Sequence, residues 1–116
     1  MRRKGPLKAE LRSLVEADRF LHEPSRSVIL AVLSVVEKAD FLYLQRETGL
    51  SKGNLSVHLT RLEEAGYLSI EKTYRGRRPL TVCRITPEGR TAFENYRQQL
   101  KQFIEAARPP DDSKEL

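Results

Sequence analysis

Three consecutive residues, Gly49-Leu50-Ser51, close one helix and open the next. Glycine enters the left-handed conformation that ends a helix, leucine supplies the hydrophobic clamp that often follows, and serine accepts from an amide one turn into a new helix. The chain cannot run the two helices into one. The same stop recurs where Gly66-Tyr67 follows Glu63-Glu64-Ala65. Beyond it Leu68 and Ile70 alternate with Ser69 and Glu71, and Thr81, Cys83 and Ile85 alternate with Val82 and Arg84. Such alternation predicts two half-buried strands flanking a turn at Gly76. Between Phe41 and Pro79 the order is therefore helix, turn, helix, hairpin.

The flanking segments predict more helix. Leu7, Leu11, Leu14, Val15 and Leu21 recur at helical steps, giving an amphipathic helix to about His22, broken by Pro24. Residues 25–38 carry Val28, Ile29, Val32, Leu33, Val35 and Val36, too many for one narrow stripe, so this helix is expected at the centre of the core. Ala39-Asp40-Phe41 supplies a short extended piece, and Phe41 to Thr48 reads as a helix. Thr86-Pro87-Glu88 combines a capping hydroxyl, a first-turn proline and an acid at the positive helix end. In the helix it starts, Phe93, Tyr96, Leu100, Phe103 and Ala107 step by 3, 4, 3 and 4, the spacing of a coiled-coil seam that Ile104 widens. Pro109-Pro110 end it.

The class expected is α+β, mostly helical. With 116 residues and 39% hydrophobic content the chain can hold one modest core. We divide it into a basic tail at 1–6, one domain at 7–107 and a disordered tail at 108–116. Lys and Arg number 21 against 16 acids, a net charge of +5 that attracts polyanions, though such basicity is common in ordinary proteins. Met1-Arg2-Arg3-Lys4-Gly5-Pro6 looks like the start of a signal peptide, but no apolar stretch follows it and no segment approaches the roughly 20 apolar residues that span a bilayer. A cytoplasmic protein with no membrane partner is expected. Cys83 is the only cysteine, so an intrachain disulfide and a Cys-rich zinc site are both excluded. No Ser-His-Asp pattern, phosphate loop or HExxH is present, and Glu63 and Glu64 are adjacent on a helix and point apart. We expect no enzyme and no cofactor.

On a helix beginning at Ser51, Leu55, Leu59 and Leu62 share one face and pack inward. The opposite face carries Gly53, Asn54, Val57, Thr60 and Arg61, with Lys52 and Ser56 toward its edges and no acid before Glu63. These groups suit the edges of DNA bases: Asn54 an adenine, Val57 a thymine methyl, Ser56 and Thr60 bases or phosphate, Lys52 and Arg61 guanine or phosphate. Gly53 lets backbone and the positive helix terminus come close to a sugar-phosphate chain. An ordinary solvated helix face has a similar composition. The hairpin shifts the balance: Lys72, Arg75, Arg77 and Arg78 fall within seven residues, and no acid occurs from Lys72 through Arg84. Such crowding is costly without an anionic partner, although charge also protects edge strands from aggregation.

These residues resemble the winged helix-turn-helix transcriptional regulators of the MarR and ArsR type, and more closely a small family of stand-alone winged-helix DNA-binding proteins. The likeness lies in Leu50-Ser51-Lys52-Gly53-Asn54-Leu55-Ser56-Val57-His58-Leu59, Leu62-Glu63-Glu64-Ala65-Gly66-Tyr67, Arg77-Arg78-Pro79 and Ile85-Thr86-Pro87-Glu88-Gly89-Arg90. It covers roughly Phe20 to Tyr96, and the joint order is more specific than any one piece. The resemblance implies that the Ser51 helix reads the major groove of double-stranded DNA and that the hairpin is a wing on minor groove or backbone. It further implies that N- and C-terminal helices build a homodimer. Leu7, Leu11, Leu14, Phe93, Tyr96, Leu100, Phe103 and Ile104 are the residues expected there, since they exceed what one small core needs. The alternative is that the two helices pack together within one chain. A twofold dimer favours a pseudo-palindromic operator. Two rival functions share the fold: a protein-interaction module facing an acidic partner, and a sensor for an effector ligand that the sequence does not identify.

Two histidines and the cysteine complete the candidates. His58 lies nearer the Leu55 and Leu62 side and is expected partly buried and hydrogen-bonded rather than base-reading. His22 stands at a helix end, where an imidazole can meet free carbonyls. ArsR-type metal sensors need several converging ligands, and one Cys with two separated His residues offers no metal site. Cys83 falls on the inward set with Ile85, with a redox role open only if it is exposed beside cations.

Overall fold

The structure is a computed structural model, and it describes residues 19–109. Four helices and three short strands follow in order: α1 (Pro24–Val35), β1 (Ala39–Asp40), α2 (Phe41–Thr48), α3 (Lys52–Glu64), β2 (Leu68–Arg75), β3 (Arg78–Ile85) and α4 (Pro87–Ala106). The basic tail, the Leu7, Leu11 and Leu14 helix positions, and residues 110–116 lie outside the described residues.

The local stop and start signals act as their chemistry requires. Gly49 sits at φ 74 and its amide donates to the Gln45 carbonyl, while the Ser51 hydroxyl accepts from the Asn54 amide at 3.2 Å. At the far end of α3, Gly66 (φ 83) and Tyr67 donate to the carbonyls of Glu63 and Leu62, both at 2.9 Å, a closure that satisfies two otherwise free carbonyls. The Thr86 hydroxyl caps α4 by accepting from the Gly89 amide at 2.9 Å. The 41–48 helix has the bounds expected of it, and the extended piece before it is the two-residue β1.

Differences appear around α1. The helix expected to run to about His22 does not extend over residues 19–23, which form turns and bends. Pro24 is the first residue of α1 and not merely a breaker, and Glu23 is its cap, with Oε1 accepting from the Arg26 amide at 3.0 Å. The residue before a proline is pushed to extended backbone, and Glu23 obeys at φ −126, ψ 118. Arg26 secures the turn: its Nε donates to the Phe20 carbonyl at 2.8 Å and its guanidinium lies 4.4 Å over the Phe20 ring. At the other end α1 stops at Val35, not Lys38, since Val36 is already extended.

The sheet is antiparallel in the order β1-β3-β2. Leu68 pairs with Ile85, Ile70 with Cys83 and Lys72 with Thr81, so these six residues share one face. The core gathers Ile29, Leu30 and Leu33 of α1, Leu44 of α2, Leu55, Leu59 and Leu62 of α3, and Leu68, Cys83 and Ile85 of the hairpin. Leu21 and Tyr96 close it from the chain ends. Expected centrality of α1 thus holds, and α2 and α3 are pinned by opposite leucine faces while their other faces remain in solvent.

Candidate nucleic-acid interface

All eight residues singled out on α3 are exposed: Ser51, Lys52, Gly53, Asn54, Ser56, Val57, Thr60 and Arg61. Burial of Leu55, Leu59 and Leu62 turns the rest outward, and Val57 at the middle of that face is 52% exposed. An apolar side chain held in water on a polar helix face serves no internal packing. The face is also split. Lys52, Ser56 and Thr60 stand beside the root of the hairpin, across a cleft from Lys72 and Thr81. Asn54 and Arg61, about half a turn around the helix, lie on the far flank.

The hairpin continues outward from that cleft. Strands rise about 3.3 Å per residue, so Arg75 lies about 10 Å beyond Lys72. Gly76 turns the chain at φ 64, and Arg75 pairs in register with Arg78. Lys72, Arg75, Arg77 and Arg78 are all exposed, and none has an ion-pair partner among the described residues. Sequence reasoning missed Tyr74, which is 70% exposed near the tip. Strand alternation carries the signal, since Tyr74 follows Leu68, Ile70 and Lys72 on one face after the body of the domain has ended.

His58 is half-buried as expected, but no hydrogen bond holds it. Its Nε2 is 4.0 Å from Glu23 Oε2 and its buried Nδ1 has no partner. His22 does not meet helix-end carbonyls; its Nδ1 lies 2.8 Å from the Tyr96 hydroxyl. Cys83 is fully buried, and burial first, then Glu63 and Asp40, push its thiol up to about 11. The apolar core encloses it, so the exposure on which a redox role depends is not met. Among the described residues no three His, Cys, Asp or Glu side chains converge on a metal position, and no helix is long and apolar enough to cross a membrane.

The α4 seam positions divide. Tyr96 is 7% exposed and belongs to the protomer's own core, where burial raises its pKa. Phe93 and Leu100 line an apolar groove of about 270 Å³ against Pro24, Val28 and Ala31 of α1. Phe103 is half-buried, and Ile104 is 58% exposed.

A helix-turn-helix with a cationic hairpin beside its second helix defines a winged-helix protein. The chain matches the winged helix DNA-binding domain family over residues 26–104, and it belongs to that family. An uncharacterised protein of Methanocaldococcus jannaschii is 40% identical over 78 residues, 67% of this chain and 85% of that protein. Among solved structures, a transcriptional regulator homologue from Pyrococcus horikoshii OT3 has a TM-score of 0.76 at 31% identity, over 84% of this chain and 95% of that one. A mutant MarR from E. coli has a TM-score of 0.66 at 16% identity, over 94% of this chain and 82% of that one, a likeness of fold. The fold is the one found in MarR, and the family to which the chain belongs is defined by a winged helix DNA-binding domain.

Proposed function

We propose that the protein is a sequence-specific regulator of transcription that binds double-stranded DNA as a homodimer, most simply a repressor that occupies a pseudo-palindromic operator in the cytoplasm. One observation carries this: an exposed α3 face with no acid before Glu63 stands next to a hairpin on which Lys72, Arg75, Arg77 and Arg78 have no ion-pair partner among the described residues. In this role α3 enters the major groove, where Asn54 and Val57 meet base edges. Lys72, Arg75, Arg77 and Arg78 neutralise phosphates, which supplies most of the affinity and makes it salt-dependent. The partly exposed apolar positions Phe93, Leu100, Phe103 and Ile104 support α4 as the dimer element.

The test is an anisotropy titration on mixed duplex at low salt, followed by two variants on a selected operator. Asn54→Ala costs roughly 1 to 3 kcal/mol at one base position and little on random DNA, whereas Arg77→Ala weakens every sequence and flattens the salt slope by about one. A wild-type protein that ignores duplex at low salt ends the proposal and favours an acidic protein partner. Equal losses of Asn54→Ala on operator and random DNA count against base reading.

A further inference from the structure

The face of the hairpin turned toward α3 changes character along its length. Its first two rungs, Leu68 with Ile85 and Ile70 with Cys83, are apolar and packed against the core. The third sets an exposed lysine, Lys72, opposite a hydroxyl, Thr81. From α3, Lys52, Ser56 and Thr60 meet that rung; they are spaced by four and so form one stripe along the helix. Together these five side chains rim a cleft of about 300 Å³ with an apolar floor of Leu59, Ile70 and Phe41. Two lysines and three hydroxyls border it, and no carboxylate does. Glu71 is on the other face of β2, opposite Val82.

Neither lysine has an ion-pair partner among the described residues. Two like charges around one cleft repel, and an apolar floor weakens the screening between them. A single anion between them reverses the sign of that energy, and hydroxyls on both walls offer donors to its oxygens. The cleft opens beside the exposed face of α3, where a duplex backbone would pass. Resting on the DNA-binding role above, we propose that this cleft seats one phosphodiester of the DNA backbone, gripped by Lys52 from the helix and Lys72 from the hairpin. Ser56, Thr60 and Thr81 then serve the backbone, and base reading falls to Asn54, Val57 and Arg61. One phosphate held from two elements also fixes the angle between helix and wing on DNA.

The experiment replaces single phosphates of a selected operator by neutral methylphosphonates and titrates each duplex against wild type, Lys52→Ala, Lys72→Ala, the double variant and Arg77→Ala. At one position the replacement weakens wild type and Arg77→Ala roughly tenfold, as expected for a charged hydrogen-bonded contact. Each single lysine variant feels that replacement less, and the double variant not at all. Lysine variants that lose sensitivity at two different positions overturn the shared seat while leaving DNA binding intact. A wild-type protein that fails to bind the unmodified duplex overturns both. Thermal denaturation in inorganic phosphate against chloride at matched ionic strength distinguishes a free anion. A phosphate-specific stabilisation that the double variant lacks, with no position-specific effect on DNA, overturns the backbone assignment.

Discussion

Gly53 and Gly89 are both helical glycines, and they are there for opposite reasons. A Cβ at Gly89 would collide with the Tyr67 carbonyl, whose carbon stands 2.9 Å away, and would press Ile85 Cγ1 at 3.0 Å. A Cβ at Gly53 would meet nothing within 4 Å. Glycine costs helix stability relative to alanine, and nothing in the described fold requires one at this exposed first turn of α3. Close approach of a sugar-phosphate chain to the helix terminus is the explanation consistent with the proposed function. Gly53→Ala is therefore expected to raise stability by a few tenths to about 1 kcal/mol in urea denaturation while weakening duplex binding. Tighter or unchanged binding in the same variant would mean that no backbone comes close there. His58 shows the limit of residue-level reasoning: its angle on α3 fixes partial burial, but which groups it meets depends on Glu23, thirty-five positions earlier.

Among the elements, the end of α3 and the start of α4 are tied together. The Thr86 amide donates to the Tyr67 carbonyl at 3.0 Å and the Thr86 hydroxyl donates to the Gly66 carbonyl at 2.6 Å. The stop signal of α3 and the start signal of α4 thus share one hydrogen-bonded knot, into which Gly89 fits by lacking a side chain. Gly89→Ala must shift α4 off the Tyr67 carbonyl, and overpacking of this kind costs about 1 to 3 kcal/mol. Urea denaturation measures the loss; a variant as stable as wild type would show that α4 yields freely. Each half of the knot was legible in the sequence, because capping depends on residues three or four apart. Their meeting was not, since it joins positions twenty apart. The same divide runs through the whole fold. Gly49, Ser51, Gly66 and Thr86 announced their elements, and the leucine face of α3 named its exposed side. The His22 contact with Tyr96 and the pairing of Lys52 with Lys72 across one cleft needed strand register and helix packing to appear. Glu23 was overlooked as a cap because glutamate seldom fills that position.

On the scale of the whole molecule, the knot ties the end of α3 to α4, so in the proposed dimer whatever holds two α4 helices together also sets the spacing of two α3 helices. A twofold pair reading one face of DNA needs them about 34 Å apart, one helical turn. Ile104 is the position at which to test the pair, because it is 58% exposed in the protomer and absent from its core. Burying that side chain in a partner gains about 1.5 to 3 kcal/mol per copy, and a carboxylate in its place must be desolvated without a partner. Ile104→Glu is expected to leave the melting of the protomer core nearly unchanged. Light scattering should then report a fall from twice the 13.4 kDa of one chain toward a single copy. Affinity for a single half-site should survive, whereas the gain from a second half-site on the same duplex should vanish, since that gain is an effective concentration set by the dimer. A wild-type protein that stays at one chain mass while binding two half-sites independently would refute the pair and leave the α3 face and hairpin as a monomeric reader.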